Sequence, residues 1–133
     1  MRDKVIWVVD DDVIYQTIIN KIIEKSGVFS SHFSFPNGSE ALTSLKKIVE
    51  DDDDTALPDI ILLDINMPVM DGWEFMDEIK KIKSDIRKDI HIYIVSSSIA
   101  VEDKNKSATF SNIIGYMPKP ISVTELITIA SNT

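Results

Sequence analysis

Five side chains of this 133-residue sequence could form a reactive site: Asp10, Asp11, Asp64, Ser96 and Lys119. Each of them follows a short apolar segment that has the composition of a buried strand. In an open parallel sheet, binding sites form beyond the carboxyl ends of the strands. We therefore expect three carboxylates, a hydroxyl and an ammonium to meet at one edge of a sheet.

Three carboxylates beside one ammonium leave a net formal charge of −2 at such a site. Two like charges about 4 Å apart repel by roughly 4 kcal/mol at an effective dielectric constant of about 20. A cluster of this kind either raises its pKa values or binds a cation. Ligands that are all oxygen favour Mg²⁺ over Mn²⁺ or Ca²⁺. An aspartate beside Mg²⁺ and a lysine can attack a phosphoryl group and become an acyl phosphate.

The elements that must position these groups are predicted from hydrophobic patterns. Short apolar or β-branched segments predict strands at 4–9, 29–35, 59–63, 91–95 and 113–117. Helical spacing and capping residues predict helices at 13–26, 38–50, 73–82 and from Ser122 onwards, with a fourth helix placed within 101–110. Strands alternating with helices in this way predict an α/β fold with three α/β/α layers around a five-stranded parallel sheet.

The helix at 13–26 illustrates how these boundaries are assigned. Its apolar residues lie at positions 14, 18, 19, 22 and 23, which is helical spacing. Asp12 is interpreted as its N-cap and not as a third metal ligand of the loop, and Gly27 as its C-terminal stop. Ser122 and Glu125 have the spacing of a capping box for the last helix.

Composition excludes several classes of function. A net charge of −8 and a pI near 4.6 argue against binding to nucleic acid or to anionic lipid. The absence of cysteine excludes disulfides, thiolate metal sites and thiol catalysis. No apolar run approaches the roughly 20 residues that cross a bilayer, and the N-terminus does not have the pattern of a signal peptide. We expect a soluble cytoplasmic protein with one domain over residues 1–133.

Four stretches of the sequence resemble the receiver domain of two-component response regulators. They are VVDDD at 8–12, LLDINMPVMDG at 62–72, IVSSS at 94–98 and GYMPKP at 115–120, in the order of the family and at about its spacing. The resemblance covers the whole chain and is of the chemotaxis type. It implies a flavodoxin-like fold with the strand order 2-1-3-4-5.

The resemblance also implies a metal site and its ligands. Asp10 and Asp11 match the acidic pair of the family, in which Asp11 is the more direct Mg²⁺ ligand and Asp10 acts largely through water. Asp64 matches the phosphoacceptor, which is a metal ligand as well. Asn66 matches the position whose backbone carbonyl binds the metal. The implied cofactor is Mg²⁺.

Further residues match family positions that contact or report the phosphoryl group. Ser96 matches the hydroxyl, Lys119 the lysine and Tyr116 the aromatic switch residue. Serine at 96 stands where threonine is commoner, and Ser97 stands where a smaller residue is usual. We expect Ser96 and Tyr116 to form the switch, and the fourth helix, fifth strand and last helix to form the output surface. We also expect a cis Lys119–Pro120 bond, because cis costs least before proline.

The implied function is two-component signal transduction. The expected phosphodonor is a sensor histidine kinase or a phosphotransfer protein, and the expected output is contact with an unknown downstream protein. We expect no nucleic-acid or membrane partner, and a monomer or weak dimer. About ten residues follow Ser122, so we expect no output domain. We expect no enzymatic activity beyond self-catalysed phosphoryl transfer and dephosphorylation.

Two other functions stay open at this point. Mg²⁺-dependent phosphatases also form an aspartyl phosphate, but they usually carry a second acid two residues after the nucleophile, where this chain has Asn66. A receiver-like scaffold that is never phosphorylated is the third hypothesis. The acidic run at 51–54, in a loop lengthened over 50–55, lacks the glycine and distal glutamate of a calcium loop, so we interpret it as solvated.

Overall fold

A computed structural model of the chain describes residues 4–96 and 105–133. It contains a five-stranded sheet with the order β2-β1-β3-β4-β5. The strands are β1 (Val5–Val9), β2 (Ser31–Phe35), β3 (Ile60–Leu63), β4 (His91–Ser96) and β5 (Ile113–Pro118). All four pairings are parallel, which confirms the predicted sheet and its order.

Helices cover both faces of this sheet. They are α1 (Val13–Ser26), α2 (Gly38–Glu50), α3 (Gly72–Ile82) and the C-terminal helix (Val123–Ser131). The fourth helix predicted within 101–110 lies partly outside the described residues, although 105–107 are helical. Within the described part of the chain, no helix is long and apolar enough to cross a membrane.

The core consists of two clusters separated by the sheet. Alternate residues of β1 enter opposite clusters, because successive side chains of a strand point to opposite faces. Trp7 and Val9 pack with α2 and α3, whereas Ile6 and Val8 pack with α1 and the C-terminal helix. Every residue of β1 and β3 is buried, as expected for central strands of a parallel sheet.

Only part of the apolar spacing of α1 is buried. The structure buries Tyr15, Ile19 and Ile23, a stripe with a spacing of four residues. Ile14 and Ile18, which belong to the same apolar pattern, are 75% and 46% exposed. The helical spacing predicted the helix itself, but hydrophobicity alone does not distinguish two adjacent stripes of one helix, and Tyr15 was not among the apolar positions noted.

The helix caps agree with the sequence. Asp12 accepts hydrogen bonds from the backbone N–H groups of Ile14 and Tyr15, so it is an N-cap as interpreted. Gly27 ends α1 with a φ of 69°, a left-handed conformation that glycine adopts at little cost. The capping box at Ser122 and Glu125 is present. These caps fix where each loop at the carboxyl edge of the sheet joins its helix.

Two buried aspartates flank β3, one at each end. Asp59 precedes the strand and is 4% exposed. Its Oδ2 accepts the Val5 N–H at 2.8 Å, and its Oδ1 lies 3.5 Å from the Lys88 ammonium. Asp64 follows the strand and is 8% exposed. The charge of Asp59 is therefore balanced at the amino end of the sheet.

The acidic loop before β3 is exposed at each of its aspartates, Asp51 to Asp54. Asp52 has a φ of 55° and pairs with Arg87 at 2.9 Å, and Asp53 accepts a hydrogen bond from the Thr55 hydroxyl. The described residues contain no cluster of metal-binding side chains in this loop.

Candidate functional site

The three candidate carboxylates converge at the carboxyl edge of the sheet. Carboxylate oxygens of Asp10, Asp11 and Asp64 all lie within 4.8 Å of one another. Asp10 and Asp64 are buried, whereas Asp11 is exposed. The structure thus brings together side chains that are more than fifty residues apart, as the ends of adjacent strands β1 and β3 require.

Backbone hydrogen bonds hold the two buried carboxylates in register. Asp10 N–H donates to the Phe35 carbonyl at 3.0 Å, and Asp64 N–H donates to the Val9 carbonyl at 2.9 Å. The Gln16 amide donates to the carbonyls of Asp10 (2.5 Å) and Phe35 (2.9 Å). Gln16 therefore links the loop after β1 to the end of β2, a role that the sequence pattern did not reveal.

Lys119 supplies the positive charge of the site. Its Nζ lies 2.7 Å from Asp10 Oδ2 and 3.9 Å from Asp64 Oδ2. Its backbone N–H donates to the carbonyl of Ser96, the buried last residue of β4, at 3.0 Å. The Lys119–Pro120 bond is cis, as expected. Ser96 and Lys119 are therefore joined at the edge where the carboxylates lie.

The carboxylates of the site repel one another. Burial, and after it the neighbouring Asp10 carboxylate, raise the pKa of Asp64 to about 6, although Lys119 and the Ile65 N–H act to lower it. The Ile65 N–H binds Asp64 Oδ1 at 2.9 Å, so Oδ2 is the oxygen that faces Lys119. A divalent cation would relieve this repulsion, and the all-oxygen donor set fits Mg²⁺.

The ring of Tyr15 lies under the Lys119 ammonium, with 4.4 Å between Nζ and the ring centroid. Burial raises the pKa of Tyr15, and the carboxylates of Asp10, Asp64 and Glu125 add to this effect. The phenol is therefore neutral at ordinary pH. Sequence analysis missed Tyr15, but its spacing of four and eight residues from Ile19 and Ile23 would have placed it on the inner face.

The segment after Asp64 folds back closely on it. A Cβ at Gly72 would lie 2.6 Å from the Asp64 carbonyl oxygen, so only glycine fits there. Between them, Val69 has a φ of 73°, and Met70 N–H donates to the Pro68 carbonyl at 3.0 Å in a γ-turn-like bond. Positive φ is strained for a β-branched residue. The loop after β3 therefore packs Gly72 closely against Asp64 and carries backbone strain at Val69, both beside the carboxylates.

The remaining predicted site residues lie at the periphery. Asn66 is exposed, two residues beyond Asp64. Tyr116 lies on the edge strand β5 and is 44% exposed. Ser97, which stands where the family usually has a smaller residue, lies outside the described residues.

Comparison with known proteins identifies the family. The model of the response regulator receiver domain matches residues 6–131. The chemotaxis protein CheY of Halobacterium salinarum is 32% identical over 117 residues, which are 88% of this chain and 85% of that protein. A crystal structure of a two-component response regulator from Cytophaga hutchinsonii superposes with a TM-score of 0.83 at 26% identity, covering 99% of this chain and 96% of the other.

The family also occurs within longer proteins. The transcriptional regulator NtrC of Salmonella typhimurium is 28% identical over 127 residues, which are 96% of this chain but 24% of NtrC. The chain thus spans about a quarter of the length of this relative. The predicted fold and resemblance are confirmed, and the phosphatase alternative is not favoured. The chain belongs to the response regulator receiver domain family, the phosphorylation-dependent module of two-component signalling.

Proposed function

We propose that Asp64 is the residue that accepts the phosphoryl group. The observation that carries this proposal is the position of the Lys119 ammonium, 2.7 Å from Asp10 and 3.9 Å from Asp64, at the edge where three carboxylates converge. Asp64 Oδ1 is bound to the Ile65 N–H, which leaves Oδ2 as the nucleophile. A sensor histidine kinase or a phosphotransfer protein is the proposed donor.

The transfer is a displacement at phosphorus. Asp64 Oδ2 forms a bond to the phosphorus atom while the bond from phosphorus to the donor's imidazole nitrogen breaks. The electron pair of that bond stays on the nitrogen, which then takes up a proton. Lys119 and the Ser96 hydroxyl are proposed to hold oxygens of the transferred group, because the Lys119 ammonium lies 3.9 Å from Asp64 and Ser96 ends β4, the strand that pairs with β3.

Asp10, Asp11, Asp64 and the backbone carbonyl of Asn66 are proposed to hold Mg²⁺. Bound there, the cation would neutralise charge on the transferring oxygens. The exposed Asp11 can turn towards solvent to receive a hydrated ion, whereas buried Asp10 already binds Lys119 and the Asp12 N–H. This difference supports Asp11 as the more direct ligand.

The donor is proposed to dock against apolar side chains beside the carboxylates. Val13, Ile14 and Val69 are exposed and belong to the two segments that carry Asp10, Asp11 and Asp64. An exposed apolar group next to a buried acceptor suits a protein partner that excludes water during the transfer.

Output is proposed to pass through Ser96 and Tyr116. A phosphoryl group adds negative charge and acceptor oxygens, so it can draw the Ser96 hydroxyl towards Asp64 and make room for the Tyr116 ring. Ile114 and Tyr116 on β5 and Ile127 on the C-terminal helix are exposed, which suits a surface for a downstream protein.

Phosphorylation with acetyl phosphate and MgCl₂ tests the acceptor. Intact-mass spectrometry should show slow addition of one phosphoryl group to the wild type and none to Asp64→Asn. Asp59→Asn is the matched control, because Asp59 is also a buried aspartate, at the other end of β3, and it should be labelled like the wild type. Labelling of Asp64→Asn would refute the assignment. Multiple turnover of phosphate release would favour a phosphatase, and an unlabelled wild type would favour a scaffold.

A further inference from the structure

The Lys119 ammonium has a third neighbour besides the two carboxylates. It lies 4.4 Å from the centroid of the Tyr15 ring, within the roughly 6 Å at which a ring attracts a cation. The contacts with Asp10 and Asp64 measure 2.7 and 3.9 Å. The ring thus attracts the ammonium without using either carboxylate.

Packing fixes the position of the ring independently of the charges above it. Tyr15 is 8% exposed and belongs to the same core cluster as Ile121 and Leu126. Its backbone N–H is bound to the N-cap carboxylate of Asp12 at 3.1 Å, in the first turn of α1. Ile121 lies two residues beyond Lys119 in the chain, so one cluster anchors both the ring and the segment that carries the lysine.

The contact between Lys119 and Asp10 is the one that a metal would weaken. Asp10 belongs to the carboxylate group that is proposed to hold Mg²⁺, and a carboxylate that also faces a dication attracts an ammonium less strongly. The ring of Tyr15 is neutral and does not compete for the metal. The ring can therefore still attract the Lys119 ammonium when Asp10 binds the metal instead.

We propose that Tyr15 is a positioning residue, whose ring face keeps the Lys119 ammonium beside Asp64 Oδ2 while the Asp10 carboxylate engages the metal. The inference rests on the proposed function, in which Lys119 contacts the transferred group. The aromatic ring, and not the hydroxyl, makes this contact. Phenylalanine at position 15 should therefore keep the function, and an aliphatic residue should lose it.

NMR of the metal-free protein tests the contact directly. The ε-methylene protons of Lys119 should lie upfield of those of the other lysines in the wild type and in Tyr15→Phe, because of the ring current. The shift should be absent in Tyr15→Leu. An ordinary lysine position in the wild type would overturn the inference, whether or not any variant folds.

Phosphorylation by acetyl phosphate tests the consequence. Tyr15→Phe should react within twofold of the wild-type rate. Tyr15→Leu should react about two- to thirtyfold more slowly, the range of a cation–π contact, with an unchanged Kd for Mg²⁺. Ile19→Val, a core change one turn further along α1, should lower stability but not the rate. This control separates positioning from general destabilisation.

The outcomes distinguish this inference from the proposed function. If the wild type is labelled and Tyr15→Leu is labelled equally fast, the positioning role is wrong and the acceptor assignment survives. If Tyr15→Phe is as slow as Tyr15→Leu, the hydroxyl is the acting part and the inference is also wrong. If the wild type is not labelled, the proposed function fails and the positioning role fails with it.

Discussion

Replacing Asp64 by asparagine should stabilise the metal-free protein at neutral and alkaline pH. The substitution keeps the shape of the side chain, and the amide oxygen can still accept the Ile65 N–H bond of 2.9 Å. It removes a carboxylate that burial and Asp10 disfavour, as its pKa of about 6 indicates. The loss of a poorly compensated buried charge should raise the free energy of unfolding.

The magnitude and the pH window follow from this pKa. A rise from 3.8 to about 6 corresponds to at most about 3 kcal/mol, at 1.36 kcal/mol per pKa unit. The folded state holds the Asp64 proton more tightly than the unfolded chain does. The free energy of unfolding of the wild type therefore falls as the pH rises from about 4 to about 6. Asp64→Asn lacks this loss, so its advantage should be absent at about pH 4 and complete above about pH 7.

Urea denaturation in EDTA, followed by tryptophan fluorescence at several pH values, measures this difference. Asp59→Asn is the control: it should be less stable than the wild type at neutral pH, because Asp59 pairs with Lys88 and accepts the Val5 N–H. A stability gain of Asp64→Asn that does not depend on pH would refute the electrostatic reasoning. A loss of stability at pH 8 would refute it as well.

Three further predictions concern single positions around the site. Gly72→Ala should lower the free energy of unfolding by about 1–3 kcal/mol or more, because the new Cβ would lie 2.6 Å from the Asp64 carbonyl oxygen. Urea denaturation measures this loss, and an unchanged midpoint would contradict the close approach. Val69→Asn should raise the unfolding free energy by about 1 kcal/mol, because asparagine tolerates the φ of 73° better than valine does, whereas a loss would mean that the valine side chain stabilises the loop. Asp11→Ala should weaken Mg²⁺ binding at least about tenfold, since removing one of two or three anionic ligands costs more than about 1.4 kcal/mol. A titration followed by tryptophan fluorescence measures the affinity, and equal affinity would rule out Asp11 as a ligand.

The sequence was sufficient for the features that depend on local chemistry. The bounds of α1 and α2 agree with their predictions to the residue, because Asp12 and Asn37 cap the amino ends and Gly27 stops the first helix. The convergence of Asp10 with Asp64 was also predicted, because parallel strands share one carboxyl edge.

The features that were missed depend on contacts between distant segments. Tyr15 becomes part of the site only because Lys119, more than a hundred residues later in the chain, lies over its ring. The need for glycine at position 72 arises from the carbonyl of Asp64, which no local pattern reveals. Hydrophobic periodicity likewise does not show which of two neighbouring stripes of α1 meets the sheet, and Ile14 and Ile18 are exposed although they belong to the apolar pattern.

The two aspartates that flank β3 give the sheet unequal ends. Val5 N–H and His91 N–H are bound to Asp59 at the balanced end, so their hydrogen exchange should require global unfolding. Ile65 N–H and Gly72 N–H lie beside Asp64, where the uncompensated charge lowers the free energy of local opening. They should exchange sooner, and increasingly so as the pH rises above about 6, after allowance for intrinsic base catalysis. The Asp59 end of β3 then stays fixed, while the Asp64 end is held weakly enough to rearrange when the charge of Asp64 changes.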